Sequence, residues 1–386
     1  MSKLYYINLN YDKVICMKCV IIGAGASGVA AAINIKRKYP NEEVIIIEHS
    51  DRPLRKILAT GNGRCNLGNK ELDINKYNHP ELMSTYSYKE YIKYVESYGF
   101  KTKELGELVY PYSESAQTVR NQILKELERL NVSIHLEENF IDYEVVNDGV
   151  KVKTNKATYD ADKLIIATGG KSTRGLGNDG SIYDILKKHH YDLVPLRPGL
   201  VPIKTKENTK LVDGLRVKAN VSLLENGKKI FNEDGEVLFK KDGLSGIVIF
   251  NTSNHIKNPS NMYEIVLNLL PQNIEELQGN HQQFLDKSKF LEEYFAPKIA
   301  EYLKNKINDK NFVKDLQNLK FTFKDFYDFE NSQITIGGVQ IEDMKPNFES
   351  KKEPNVYFLG EVLDMHGPCG GYNLTWAFIC GQKLMS

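Results

Sequence analysis

The chain has 386 residues, 41% of them hydrophobic and 26% charged, so it can bury a large core and is long enough for two or three domains. Lysine and arginine total 51 against 50 aspartates and glutamates, a net charge of +1, which leaves no global field for a polyanion or a membrane surface. No apolar run approaches the roughly 20 residues of a membrane-crossing helix.

Residues 1–16 are mostly polar and aromatic and lack the apolar stretch of a secretory leader. Met17 stands directly before the first predicted strand, so 1–16 read as an N-terminal extension and Met17 as the natural start. Five cysteines, Cys16, Cys19, Cys65, Cys369 and Cys380, are odd in number and scattered, which points to a reduced, cytoplasmic protein. Cys16 and Cys19 have the spacing of half a metal site. Cys19 falls in a strand and no second pair follows, so no metal is expected.

Lys18–Ile22 reads as a buried strand. Gly23-Ala24-Gly25-Ala26-Ser27-Gly28 follows, then an apolar helix from Val29, then a second strand, Val44–Ile47, ending on Glu48. Strand, Gly-x-Gly-x-x-Gly, helix, strand and acid in this order make a dinucleotide-binding unit. Gly23 permits the tight turn, Gly25 lets backbone approach a pyrophosphate, and Gly28 lets helix and strand pack closely. Ala26 and Ser27 lie at the helix start, where N–H groups and the dipole favour phosphate. Glu48 is placed to accept hydrogen bonds from a ribose. An acid there, where an arginine would suit a 2′-phosphate, speaks against NADP at this turn.

Arg52 to Asn69 concentrates basic residues, glycine and asparagine, including Lys56, Asn62, Gly63, Arg64, Cys65 and Asn66. Such a loop can lay N–H and cationic donors against a diphosphate. Helices are predicted over 80–98 and 115–130, a strand over Val132–Leu136, and a hairpin from Asp142–Val146 and Val150–Thr154. The apolar strand Lys163–Ala167 ends in Thr168-Gly169-Gly170, at the sheet edge where ligands bind in open α/β folds. A second Gly-x-Gly-x-x-Gly, Gly175 to Gly180, lacks the strand and acid of a nucleotide unit and reads as a loop into a helix, Ser181–His190.

From Pro195 the texture changes to short strands and turns, with Asn226-Gly227 as a hairpin signal, up to about Pro271. The stretch 273–310 is polar and helically patterned. Val356–Leu359 is again a strand. Gly360 and Glu361 follow, and Gly371, Tyr372, Asn373 and Leu374 open a last helix. A strand, an acid and a helix start so far from the first turn suggest one long ligand touched at both ends, and FAD has that length.

Together, Gly23–Gly28, Lys56-Ile57-Leu58, Thr60-Gly61-Asn62-Gly63-Arg64-Cys65-Asn66, Ala167–Gly170, Gly243–Gly246, Gly337-Gly338-Val339 and Gly360-Glu361-Val362 with Gly370–Leu374 resemble the BaiN/YhiN-like flavoproteins, often labelled NAD(P)/FAD-dependent or aminoacetone-oxidase-family enzymes. The resemblance covers nearly all of 17–386. It implies an α/β fold: a glutathione-reductase-type Rossmann FAD domain (17–193 and 331–386) interrupted by a β-barrel-like domain (194–272 and 311–330) and a small helical subdomain (273–310). It also implies that Glu48 binds the adenosine ribose, Lys56 and Arg64 the pyrophosphate side, and Phe140 the adenine through its backbone. Glu361 takes the ribityl chain, and the N–H groups near Asn373 and Leu374 face the flavin. Leu54 stands where the family has glycine, and Ile247 where it has proline.

The expected activity is FAD-dependent oxidoreduction of a small molecule by hydride transfer at flavin N5, with NAD(P)H as a transient electron donor. Acid–base candidates are Tyr372, Cys369, Cys65 and His366, each with a plain structural reading beside it. The alternative is a flavin-dependent RNA-modifying or redox-responsive binding protein. The basic stretches Lys240-Lys241, Lys304–Lys310 and Lys351-Lys352 are interleaved with acids and read as solvated faces, which speaks against nucleic acid.

Overall fold

The computed structural model describes residues 16–270, 286–308 and 311–384. Of the expected N-terminal extension only Cys16 is among them. Residues 273–285 and 309–310 of the expected helical subdomain lie outside them.

Five parallel strands form the central sheet, in the order Val356–Phe358, Lys163–Ile166, Lys18–Ile22, Glu43–Ile47, Ser133–His135. Cys19, Val20 and Ile21 in the first strand and Val44 to Ile47 in the second are almost wholly buried. Continuous apolar runs are what a parallel sheet covered on both faces requires. Each isoleucine so buried contributes about 2–3 kcal/mol by transfer from water. The helix Ala26–Lys38 covers one face with Val29 to Ile33, all without exposure, and packs on the C-terminal helix Tyr372–Lys383. Lys36, Arg37 and Lys38 sit in its last turn, where the dipole favours cations. An antiparallel sheet, Phe140–Val146, Gly149–Thr154 and Thr158–Ala161, lies beside the main one.

Six antiparallel strands close a barrel: Ile203–Thr205, Gly243–Ser245, Lys228–Lys240, Arg216–Glu225, Tyr263–Asn268 and Leu319–Phe326. It shares its core with the helices Lys287–Tyr294, Pro297–Lys304 and Phe312–Gln317. The strand Leu193–Gly199 is not in the barrel. It pairs with Ile334–Val339 in a two-stranded ribbon between barrel and sheet.

Local readings shift in three places. The helix expected over 80–98 divides into a short turn, Pro80–Met83, and a helix, Tyr88–Glu96, that starts at the cap Ser87. In the stretch expected to hold short strands, Lys228–Lys240 is one long strand. Ile247-Val248-Ile249-Phe250 has strand composition but begins a helix, Ile247–Asn254. Gly246, at φ 104°, turns the chain there, and the helix packs on the barrel strand Lys228–Lys240, a tertiary override of propensity.

Candidate functional site

A cleft of about 480 Å³ runs along the C-terminal ends of the parallel strands. That is the crevice where open α/β sheets hold ligands, and the size is ordinary for a cofactor site. At one end stands the turn Gly23–Gly28. Gly23 has φ +103°, and a Cβ there would stand 2.5 Å from the Ala167 carbonyl oxygen. A Cβ on Gly28 would lie 2.0 Å from the Gly23 oxygen. A Cβ on Gly25 would meet nothing within 4 Å, so the turn is open to the cleft there.

Glu48, 8% exposed, braces this end. One carboxylate oxygen accepts the Ala24 N–H at 2.8 Å and the other the Ser50 N–H at 2.8 Å. Carboxylate oxygens accept more than one bond, so capacity for a ribose hydroxyl remains. Phe140 and Glu138 form the wall beyond it.

At the other end the Glu361 carboxylate is held by three donors. Lys56 Nζ and Ser172 Oγ donate to it at 2.9 and 3.0 Å, and the Thr335 N–H at 2.6 Å. Lys56 also donates to Ser172 Oγ at 2.9 Å. Thr335 Oγ1 in turn accepts from the N–H groups of Lys171 and Ser172 at 2.6 and 3.0 Å. Gly360 abuts Ser27, where a Cβ would lie 2.6 Å from the serine oxygen, so the last strand returns to the first turn. Asn373 takes the Gly367 N–H at 2.9 Å and fixes the loop before the C-terminal helix, at whose start Leu374 also faces the cleft.

The structure thus gathers Gly23, Gly25, Ala26, Ser27, Glu48, Lys56, Phe140, Thr168, Gly169, Glu361, Asn373 and Leu374 along one cleft. Gly28, Gly360 and Gly371 stand behind it as packing positions. Asn62, Gly63, Arg64, Cys65 and Asn66 lie outside its lining. Arg64 pairs with Glu114 at 3.5 Å and sits 4.8 Å from the Tyr110 ring centre, which directs it away from the cleft. Cys65 is fully buried, and burial pushes its thiol up to about 12, a packing residue and no thiolate. Tyr372 is buried against Tyr77, and its hydroxyl accepts the Asp73 N–H at 3.1 Å. Burial likewise pushes Cys369 up to about 12. Burial, with nearby positive charge, pulls His366 down to about 3, so its ring is neutral.

Sequence reasoning missed Ser172, Thr335, Gln333 and Asn178. Asn178 belongs to the second glycine loop, which lines the same cleft and leads into the helix Ser181–Lys188. Its side-chain nitrogen is buried with no partner. An unpaired buried donor in a ligand cleft, an open Gly25 and acids fixed at both ends are a donor and acceptor set that fits an elongated dinucleotide such as FAD. A conspicuous signal for the loop was its asparagine and aspartate between glycines.

Comparison with known proteins shows the family. The family model described as the HI0933-like protein Rossmann domain matches residues 17–384. A 3-dehydro-bile acid delta(4,6)-reductase of Clostridium scindens is 32% identical over 395 residues, covering 94% of this chain and 96% of that protein. A ribosomal RNA dihydrouridine synthase of Escherichia coli is 29% identical over 402 residues, covering 95% of this chain and 98% of that one. Among solved structures, a 3-ketosteroid-delta4-(5alpha)-dehydrogenase from Rhodococcus jostii aligns with a TM-score of 0.46 at 14% identity, over 95% of this chain and 96% of that one. With a match across nearly its whole length, the chain belongs to the HI0933-like Rossmann family, the BaiN/YhiN-like flavoprotein oxidoreductases that bind FAD.

Proposed function

We propose that this protein is an NAD(P)H-fed reductase of a carbon–carbon double bond conjugated to a carbonyl, in a small molecule. One observation carries the reading: a single cleft joins the Gly23–Ser27 turn and Glu48 to Glu361 and Asn373, and continues to Gln333 and Ile334 on the ribbon that leads into the barrel. When bound, FAD supplies the two-electron chemistry. The chain's residues hold it: the Gly25–Ser27 N–H groups at the pyrophosphate, Glu48 at the ribose, Phe140 at the adenine, Glu361 at the ribityl chain, and the helix start at Asn373 and Leu374 at the flavin. Lys56, already tied to Glu361 and Ser172, orients that acid. The substrate class follows from the relatives' names, since a delta(4,6) bile-acid reductase and a dihydrouridine synthase both saturate a double bond beside a carbonyl.

In this reading 17–193 with 331–386 carry the cofactor, and the insertion supplies the far wall of the substrate site. All five cysteines are free thiols, which supports a reducing, cytoplasmic setting. Among the described residues no helix is long and apolar enough to cross a membrane.

The test is anaerobic mixing of the FAD-loaded protein with NADH or NADPH, followed by a 3-oxo-4,6-diene steroid. Flavin colour should bleach and then return with loss of the diene absorbance. Bleaching that the conjugated ketone cannot reverse, but dioxygen can, would turn the reading to an oxidase.

A second reading, in which the reduced base lies in RNA, has one feature in its favour. Lys210, Lys298 and Lys306 line a hollow on the barrel side, and among the described residues no acid lines it. Binding of a ribosomal RNA fragment that falls steeply with salt and needs these lysines would support it.

A further inference from the structure

A set of charges lies beside the flavin end of the cleft and is not used by the cofactor reading. Arg197 sits on the ribbon strand Leu193–Gly199, opposite Ile336, on the face that also carries Ile334 into the cleft. Its guanidinium donates to the carbonyls of Asn254 at 3.0 Å and Ser253 at 3.4 Å, and lies 5.8 Å from the Phe326 ring centre. Among the described residues no carboxylate forms an ion pair with it. Burial lowers it to about 10, so it remains a cation, but a dehydrated one.

His366 directly follows Met365, which lines the cleft. Its Nδ1 is buried with no hydrogen-bond partner, and Asp364 Oδ1 stands 3.9 Å away. Asp364 is committed elsewhere: it accepts the Gly337 N–H at 3.1 Å and stands 3.8 Å from His79 Nε2. The same Arg197, with His79, His255 and Lys257, acts on the His366 ring. His255 is stacked on Phe231 at 4.4 Å between ring centres. A buried cation that Asp364 reaches only through space, and a buried imidazole nitrogen without a hydrogen-bond partner, are both costly to fold. Both costs disappear when one negatively polarised oxygen arrives between them.

We propose that Arg197, with His366 beside it, is the oxyanion subsite for the carbonyl oxygen of the substrate. This rests on the reductase reading above. Saturating the conjugated double bond adds a hydride at the β-carbon and a proton at the α-carbon. Between the two additions the displaced electron pair rests on the carbonyl oxygen as an enolate. Donors already aimed at that oxygen stabilise the charge as it forms. The hydride belongs to the cofactor of that reading, and the proton to solvent.

The test uses 4-nitrophenol, an enolate mimic whose ionised form is coloured, titrated into the FAD-loaded protein. The wild type should bind it as the phenolate, with its ionisation midpoint lowered, and should bind neutral 4-nitroanisole more weakly. Arg197→Met should weaken phenolate binding about tenfold or more while retaining FAD, with Arg197→Lys intermediate, as the loss of a charged hydrogen bond requires. His366→Asn should weaken it several-fold. Arg197→Met that keeps FAD and binds the phenolate like wild type overturns the subsite. Equal wild-type affinity for the phenolate and the anisole does so without any variant, should Arg197→Met not fold. A protein that takes up no FAD fails the underlying reading instead.

Discussion

Leu54 holds a conformation that side chains avoid. Its φ is 62°, it starts the short helix Arg55–Ala59, and its N–H donates to Ala24 at 3.0 Å, so the backbone leaves it no other choice. A left-handed residue with a Cβ costs about 1–2 kcal/mol. The side chain is 2% exposed, and its burial offsets the strain. Leu54→Gly should therefore be more stable than Leu54→Ala by about 1 kcal/mol in denaturant unfolding, the reverse of the usual order; Ala equal to or above Gly would remove the strain argument. His189 offers a pH test. Burial alone would lower its pKa, but Asp142 and Glu353, each 2.9 Å from a ring nitrogen, raise it above its ordinary value. Asp142 is held below its ordinary value: burial raises it, and His189 outweighs that. The raised imidazole stabilises the fold below its unfolded pKa and loses that contribution as pH rises through the folded value. The lowered carboxylate contributes above its own unfolded pKa and loses it on acidification. His189→Gln should cost most between about pH 4 and 6.5, on the order of 1–2 kcal/mol with Asp142 partly exposed, and progressively less above that window. A cost that grows with pH would contradict the assignment.

At the scale of elements, the first turn separates two roles that look alike in the sequence. Gly28→Ala places a carbon against the Gly23 carbonyl and should destabilise the protein by about 1–3 kcal/mol, with or without cofactor. Gly25→Ala meets no protein atom, so apo stability should stay at wild type while FAD affinity falls; calorimetry of both forms separates the cases. The strand–turn–helix–strand unit was legible because each signal is local: an apolar run, a glycine spacing, an acid at a strand end. The Glu361 and Asn373 element was legible for the same reason. The clamp on Glu361 was not, since Lys56, Ser172 and Thr335 reach it from three distant stretches of chain. Arg64 shows the opposite limit. Its loop has the composition of a phosphate cradle, but Glu114 and Tyr110, which no local pattern links to it, hold it elsewhere. Arg197 left a faint mark, a cation between two prolines in a strand.

The molecule as a whole has two main cores, one around the parallel sheet and one inside the barrel with its helices, with a small cluster of Leu200, Ile334 and Ile336 between them. Phe140 and Leu374, which line the cleft, pack on the first. Thermal unfolding should then show two transitions, and added FAD should raise the one reported by the sheet while leaving the barrel's nearly in place. A single transition that FAD shifts as a whole would mean the ribbon couples the two cores.

The order of strands in the sheet also bears on how the chain is made. Lys163–Ile166 lies between Lys18–Ile22 and Val356–Phe358, so one of its hydrogen-bonding edges is filled only by a strand from the far end of the sequence. The barrel strands, from Ile203 to Phe326, are all translated in between. On the ribosome the barrel can close while the sheet still carries a bare apolar edge, the kind of surface that invites pairing with another nascent chain. Until Val356–Phe358 emerges, that edge is where a chaperone would have its work.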